Sequence, residues 1–343
     1  MLNNKNILIT GGTGSFGKRM VQIILTHYKP KKLIVFSRDE LKQFEMAQKW
    51  NPHKYPCIHY VLGDVRDKER LVRVFKGIDY VIHAAALKQV PAAERNPEEY
   101  IKTNVLGAMN IIDACLVNKV DRVVALSTDK ACNPINLYGA TKLCSDKLFT
   151  AAEFTGDEQG TRFAVVRYGN VLGSRGSVVP FFKERVSTGV LPITDDRMTR
   201  FWITLDQSVY FVLESLRRTK GGEIFVPRIP SMKITDLAKA IGPKCKQEVV
   251  GVRPGEKIHE TLISEDEARN TVMFKDCFVV QSNAGLHAEL AKGKGRPCPE
   301  GFMYNSGDND DWLSVSDLHK LVDQIADDYS IEDSRWAMDD VPE

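Results

Sequence analysis

Residues 6 to 10, Asn-Ile-Leu-Ile-Thr, form a short apolar run that stops at Gly11-x-x-Gly14-x-x-Gly17. Phe16, Met20, Ile23 and Ile24 then recur at helical spacing through residues 15 to 27. A strand that turns through glycines straight into an amphipathic helix must bury both its faces, which a parallel sheet clad with helices achieves. The alternation repeats, with strands expected at 32–37, 58–63, 80–86 and 122–128 and helices near 39–50, 67–76 and 97–118. These elements spell an α/β fold, a Rossmann-type doubly wound parallel sheet. Asn96-Pro97-x-Glu99 reads as an N-cap, a first-turn proline and a capping-box glutamate for the 97–118 helix.

A helix at 136–155 and a strand at 162–168 continue the pattern, which breaks after Asn170 at Gly173-Ser-Arg-Gly-Ser177. A short helix to 188 and the run 191–194 follow, as expected of a smaller lobe inserted between core elements. A helix at 205–219 and a strand at 223–227 return to the sheet. The division expected is a dinucleotide-binding domain of residues 1–172 and about 205–230, and a substrate-binding lobe of 173–204 and about 231–300. An acidic segment with a helix, 301–343, completes the chain.

At 343 residues, 43% hydrophobic and 27% charged, the chain has enough apolar content for one large or two unequal cores, which excludes disorder. No stretch reaches the ~18 uninterrupted apolar residues of a membrane span, and the start runs directly into a strand, so a cytoplasmic location is expected. The seven cysteines form no C-x-x-C pair, which points to neither a disulfide framework nor a metal site. From Gly307 onward twelve acidic residues face only Lys320 and Arg335, so with a net charge of +2 the preceding body carries about +12. No Lys/Arg run accompanies that excess, which fits small anionic ligands or an ordinary solvated surface and not nucleic acid.

At the strand-to-helix junction Gly11 permits a tight turn, Gly14 lets a pyrophosphate approach the backbone, and Gly17 lets the helix pack on the sheet. Thr13, Ser15 and Phe16 lie between them and expose helix N-terminal amides to phosphate. Strand two ends in Ser37-Arg38-Asp39, where a dinucleotide's adenosine ribose would lie. Arg38 and Ser37 suit a 2'-phosphate, with Lys42 one turn on adding charge, so NADP is expected. Asp39 would instead favour NAD unless it caps the next helix. Asp64 and Val65 end the third strand, either beside the adenine or as a helix cap, and Ala84 and Ala85 offer the small side chains that close cofactor contact needs.

Tyr138 and Lys142 stand at i and i+4 on one helix face after strand five. A phenol has a pKa of about 10, and lowering it to ~7 takes about 4 kcal/mol. One positive charge ~4 Å away supplies about that at an effective dielectric near 20. The pair therefore suits acid-base work, or is a chance pairing on a solvated face.

These residues resemble the extended short-chain dehydrogenase/reductase superfamily: T-G-G-T-G-S-F-G at 10–17, G-D-V at 63–65, H-A-A-A at 83–86, Asn104, and Y-G-A-T-K at 138–142. Within it, the stretches at 127–142, 167–180 and V-R-P-G-E-K-I-H-E at 252–260 resemble the inverting UDP-N-acetylglucosamine 4,6-dehydratases that begin pseudaminic acid synthesis. Sugar-nucleotide 4,6-dehydratases commonly carry Thr-Asp-Glu after strand five, whereas this chain has Thr128-Asp129-Lys130, as the inverting group does.

The resemblance implies that Tyr138, lowered by Lys142, takes the 4-hydroxyl proton, that Thr128 holds that hydroxyl, and that Asp129 and Lys130 share the proton transfers of water loss. Which of the two is acid and which base stays open. NADP is implied as a bound cofactor that ends as it began. For the substrate, UDP-N-acetylglucosamine, the resemblance implies Lys88, Asn170, Arg175, Pro180 and Thr194, with Arg200 and Arg253 on the diphosphate and Glu256 on a ribose hydroxyl. Arg253 to Glu256 is equally a good turn, and Arg200 an ordinary surface charge. A homo-oligomer, from dimer to hexamer, is implied as well, with no membrane or nucleic-acid partner. The rival readings are a UDP-sugar 4-epimerase or a retaining dehydratase of the same fold, and an NADP-binding regulator without turnover.

Overall fold

The computed structural model describes residues 1–152, 160–173, 177–281 and 295–330. In chain order its strands begin with β1 (Asn6–Thr10), β2 (Lys32–Ser37), β3 (Ile58–Leu62), β4 (Tyr80–His83), β5 (Arg122–Thr128) and β6 (Arg162–Tyr168). There follow β7 (Asn170–Val171), β8 (Val190–Ile193), β9 (Thr199–Ile203), β10 (Glu223–Pro227), β11 (Ser231–Lys233) and β12 (Lys246–Val249). The last are β13 (Thr261–Ile263), β14 (Thr271–Met273), β15 (Cys277–Gln281), β16 (Arg296–Pro297) and β17 (Tyr304–Asn305). The helices are α1 (Ser15–His27), α2 (Glu40–Lys49), α3 (Lys68–Val74), α4 (Val90–Arg95), α5 (Pro97–Tyr100) and α6 (Gly107–Val117). They continue with α7 (Leu137–Ala151), α8 (Val178–Arg185), α9 (Leu205–Arg218), α10 (Ile234–Ile241), α11 (Glu265–Ala268) and α12 (Val315–Ser330).

The main sheet runs β3-β2-β1-β4-β5-β6-β10 in parallel, then adds β15, β14 and β16 antiparallel. The order reverses between β1 and β4, which opens a crevice at their carboxyl ends where α/β sheets receive ligands. Ile7, Leu8 and Ile9 of β1 and Phe163 to Val166 of β6 are fully buried, the unbroken apolar reading of strands covered on both faces. Residues 271–281 and 296–297, expected in the smaller lobe, belong instead to this sheet. All five residues of β15 are buried, and its pairing closes the edge that β10 would otherwise leave open.

A second core gathers Leu172, Val179, Phe182, Leu191, Ile193, Trp202, Met232 and Leu237 around β7 to β9, β11 and α8 and α10, and α12 inserts Leu318 and Val322 into it. Of the acidic segment 301–343, residues 301–330 are thus accounted for, and 331–343 lie outside those described. Among the described residues no helix is long and apolar enough to cross a membrane.

The expected capping box at Asn96 is not formed. Asn96 also ends α4, and its side-chain amide donates to the Ala92 carbonyl at 3.0 Å instead of capping α5. Between α5 and α6 a π-helical turn, Ile101–Leu106, swings Asn104 inward. Asn104 then accepts from Leu87 N at 2.9 Å and donates to Leu87 O at 2.9 Å and Thr141 Oγ1 at 3.0 Å. One side chain so ties the loop after β4 to the face of α7 that carries Tyr138.

Candidate active site

At the head of α1 the three glycines answer to three different constraints. Gly11 has φ +64°, and a Cβ there would meet Ala85 N at 2.8 Å and Ala84 C at 2.9 Å, so the turn packs directly on the end of β4. A Cβ on Gly17 would lie 2.4 Å from Gly12 Cα, which fixes how closely helix and strand approach. Gly14 is exposed, and no side chain caps the helix behind it. That leaves first-turn amides with neither a capping side chain nor a Cβ in the way, a fit to a pyrophosphate.

At the end of β2, Asp39 caps α2, accepting from Lys42 N at 3.0 Å and pairing with the Lys42 ammonium. Lys42 is therefore engaged with Asp39. Ser37 is buried, with its hydroxyl oxygen accepting from Gln43 Nε2 at 3.1 Å. Arg38, 55% exposed, reaches Asp64 at 3.6 Å. Asp64 does not cap α3, which Asp67 does, but pairs with Arg66 at 2.8 Å. Val65 is buried, and Thr13 is buried in the turn.

The densest group of titratable side chains follows β5. The 3-10 turn Asp129–Ala131 is capped by Thr128, whose hydroxyl also donates to Asp129 Oδ1 at 2.8 Å. Lys130 Nζ lies 3.1 Å from that same Oδ1 and 3.1 Å from Glu260 Oε1. Asp129 and Glu260 are almost wholly buried, and among the described residues Asp129 Oδ2 and Glu260 Oε2 have no hydrogen-bond partner. Arg200 stands behind, its Nε 3.8 Å from Glu260 Oε1 and its Nη1 donating to the carbonyls of Thr199 and Ile258 at 2.7 and 3.1 Å.

The first turn of α7 is pressed onto this cluster. A Cβ on Gly139 would lie 2.2 Å from the Lys130 carbonyl oxygen, so glycine is what lets the helix approach. Asn136 caps α7, accepting from Gly139 N at 2.7 Å, and donates to Gly255 O at 2.8 Å. Lys257 Nζ donates to Cys132 O at 2.7 Å, pinning the 253–260 loop to the same corner.

Electrostatics divide these groups. Burial pushes the Tyr138 phenol up to about 12, against the pull of Lys130 and a hydrogen bond with Thr128. The positive charge expected to lower Tyr138 was Lys142, but the leading one is Lys130. Lys142 is buried one turn further along α7, held below the ordinary ammonium range by burial against the attraction of Asp146. Burial, with Glu260 adding to it, raises the Asp129 carboxyl above its usual range despite Lys130. Asp129 and Glu260 overcome burial and hold Lys130 well above the ordinary ammonium range. Against burial, Lys130 and Arg200 keep Glu260 low.

The model of the family described as "Polysaccharide biosynthesis protein" matches residues 7–282. The chain belongs to this family. It is an extended short-chain dehydrogenase/reductase, with the nicotinamide-dinucleotide fold of that superfamily. A relative from Campylobacter jejuni subsp. jejuni serotype O:2, named UDP-N-acetylglucosamine 4,6-dehydratase (inverting), is 54% identical over 331 residues, 94% of this chain and 98% of its own. A UDP-glucose 4-epimerase from Rickettsia bellii is 44% identical over 275 residues, covering 78% of this chain and 80% of its own. Among solved structures, Pen from Bacillus thuringiensis superposes with a TM-score of 0.86 at 35% identity, covering 95% of this chain and 99% of that one.

In this family member, Thr128, Asp129, Lys130 and Tyr138 meet at one corner, and Gly11 of the fingerprint meets Ala84 and Ala85. The remaining substrate candidates are more scattered. Asn170 sits on β7 with its Oδ1 buried and unpartnered, Thr194 follows β8, and Pro180 lies in the first turn of α8. Lys88 is on the exposed loop after β4, and Arg175 falls outside the described residues. Arg253 is 63% exposed and 4.0 Å from Glu256, whose Oε2 is buried and unpartnered. Arg200, expected at the surface or on a diphosphate, is instead buried, with its guanidinium committed to two carbonyls and Glu260. Glu260 was passed over, although it ends the very V-R-P-G-E-K-I-H-E stretch that drew notice. Its signal was a charge on a segment whose neighbours, Leu262 and Ile263, are apolar and fully buried.

Proposed function

We propose that this chain is an NADP-dependent UDP-N-acetylglucosamine 4,6-dehydratase that inverts carbon 5, giving UDP-2-acetamido-2,6-dideoxy-β-L-arabino-hex-4-ulose. The observation that carries the reading is the Asp129–Lys130 pair beside Tyr138 and Thr128, with Asp129 buried and Lys130 partly exposed, in a chain 54% identical to a relative bearing that name. A 4-epimerase needs the tyrosine but has no use for a second acid-base pair. For the cofactor, Asp39 is committed as a helix cap, which leaves Arg38 as the outward charge at the end of β2 and supports NADP over NAD. The bound dinucleotide would accept hydride from carbon 4 and return it at carbon 6.

The chain's own residues supply the proton chemistry. Tyr138 takes the proton of the 4-hydroxyl that Thr128 orients, and Lys142 sits one turn below. With carbon 4 as a ketone, the hydrogen on carbon 5 becomes acidic. Asp129 and Lys130 then remove it and protonate the departing 6-hydroxyl, so that water leaves. After hydride has returned at carbon 6, a proton added to carbon 5 from the opposite face completes the product and inverts that centre. Asp129 Oδ2, buried and without a hydrogen-bond partner among the described residues, supports a role for Asp129 in this step. In this reading Arg253 is a diphosphate partner, and Glu256 and Asn170 are acceptors for the nucleotide and sugar. The product suits a first step towards pseudaminic acid. The chain works as a homo-oligomer in the cytoplasm.

Incubation with UDP-N-acetylglucosamine, followed by mass spectrometry and carbonyl trapping, tests this directly. Loss of one water with a new ketone is expected. UDP-N-acetylgalactosamine of unchanged mass would identify an epimerase.

A further inference from the structure

Glu260 belongs to no role described so far, yet it is the third charged partner of the Asp129–Lys130 pair. It comes from a different part of the chain, 130 residues beyond Lys130, and its backbone is fixed independently. Glu260 N donates to Ser306 Oγ at 2.9 Å, and Ser306 N donates to Glu260 O at 2.8 Å. Ser306 is in turn hydrogen-bonded to Thr199 Oγ1 at 2.7 Å. The carboxylate is thus delivered to Lys130 from a rigid frame, with Arg200 behind it.

We propose that Glu260 is a positioning residue for the elimination step, holding Lys130 against Asp129 so that the two side chains act as one proton-transfer unit. Two carboxylates 3.1 Å from one ammonium define its place from both sides, where a lysine with a single adjacent partner would be free to swing on its flexible stem. The proposal rests on the dehydratase reading above and adds a residue to it.

The charge on Glu260 has a second consequence that makes the proposal testable. It raises the proton affinity of both Asp129 and Lys130. The charged and titratable groups facing this pair are Tyr138 from α7, Arg200 from β9, and Lys257 and Glu260 from the loop before β13. Replacing Glu260 by glutamine removes one negative charge from that set at nearly constant volume. Whichever member of the pair is acid and whichever base, both lose protons at lower pH, so both limbs of the elimination pH profile move to lower pH.

The experiment uses the full-length holoprotein and compares wild type, Glu260→Gln and Glu260→Asp. Reduction of bound NADP in a single turnover reports oxidation at carbon 4, and release of the 6-deoxy ketone reports elimination. In Glu260→Gln, oxidation should stay near wild type, while elimination falls about ten- to a hundredfold at the wild-type optimum, the effect of losing one charge-assisted hydrogen bond. Its pH profile should move down. Glu260→Asp keeps the charge and should restore the profile's position, though not the full rate, because the shorter side chain withdraws from Lys130. A uniform loss of rate with an unshifted profile would overturn the proposal. NMR titration of the Asp129 carboxyl needs no substrate: a midpoint that Glu260→Gln does not lower also overturns it. A midpoint lowered by Glu260→Gln, together with a wild-type protein that releases no ketone, would reject the dehydratase reading alone.

Discussion

At the scale of single residues, the site depends on a few charges whose surroundings are unequal. Arg38 is the outward cation at the end of β2, because Lys42 is engaged by Asp39. Arg38→Ala should therefore weaken NADP about ten- to a hundredfold, the 1.5–3 kcal/mol of a charge-assisted contact, and NAD little. Calorimetric titration with both dinucleotides checks this, and equal losses would point to NAD instead. Tyr138 sits beside Lys130, and burial keeps its phenol at about 12 in the ligand-free chain. Tyr138→Phe removes the hydroxyl with little change in volume, so reduction of bound NADP should stop while substrate affinity stays nearly intact. Single-turnover absorbance that matches wild type would remove Tyr138 from the oxidation.

At the scale of elements, the approach of α7 to the turn after β5 decides whether these charges meet. Gly139 allows that approach, since a Cβ there would collide with the Lys130 carbonyl at 2.2 Å. Gly139→Ala should move the Asp129–Ala131 turn off the helix, costing about 1–3 kcal/mol of stability and most of the turnover while the dinucleotide still binds. Chemical denaturation and cofactor titration separate the two effects. The glycine was visible in Y-G-A-T-K, but its reason was not, because the contact joins residues nine apart through a backbone oxygen. The same limit governs the rest of the reading. Continuous apolar runs revealed β1, β2, β4, β5 and β6, since parallel strands are buried on both faces and need no partner to be recognised. The place of β14 to β16 was hidden, because an antiparallel edge pairing is set by register with β10 and not by local pattern. Asn96 looked like an N-cap from its neighbours, but in three dimensions it serves the helix before it. Glu260 escaped notice because its partner lies 130 residues away. Lys142 was paired with Tyr138 by helical spacing alone, and spacing does not show that Asp146 and burial govern it.

At the scale of the whole molecule, the sheet carries a buried histidine that links folding to pH. His83, at the end of β4, lies 2.8 Å from Thr10 Oγ1 through Nδ1 and has almost no exposure. Burial, helped by Lys142, lowers it to about 3. The unfolded chain, with a value of about 6.5, binds this proton first, so stability is full above ~6.5 and falls as pH drops towards about 3. The slope contributed is about 1.4 kcal/mol per pH unit. Denaturant unfolding at pH 7 and pH 5 should show that loss in wild type and a smaller one in His83→Gln; equal losses would assign it to other groups. The carboxyl ends of β1 and β4 neighbour that of β5, where the 128–131 turn, α7 and the 253–260 loop form the acid-base corner, so the proposed oxidation and elimination would share one sugar. The most direct test of that account is NMR of UDP-N-acetylglucosamine converted in heavy water. One deuteron should appear at carbon 5 in the inverted configuration, and the hydrogen delivered to carbon 6 should come from carbon 4 of the same sugar. A 4-keto-6-deoxy product with carbon 5 unchanged, formed before any slow epimerisation in solution, would contradict it.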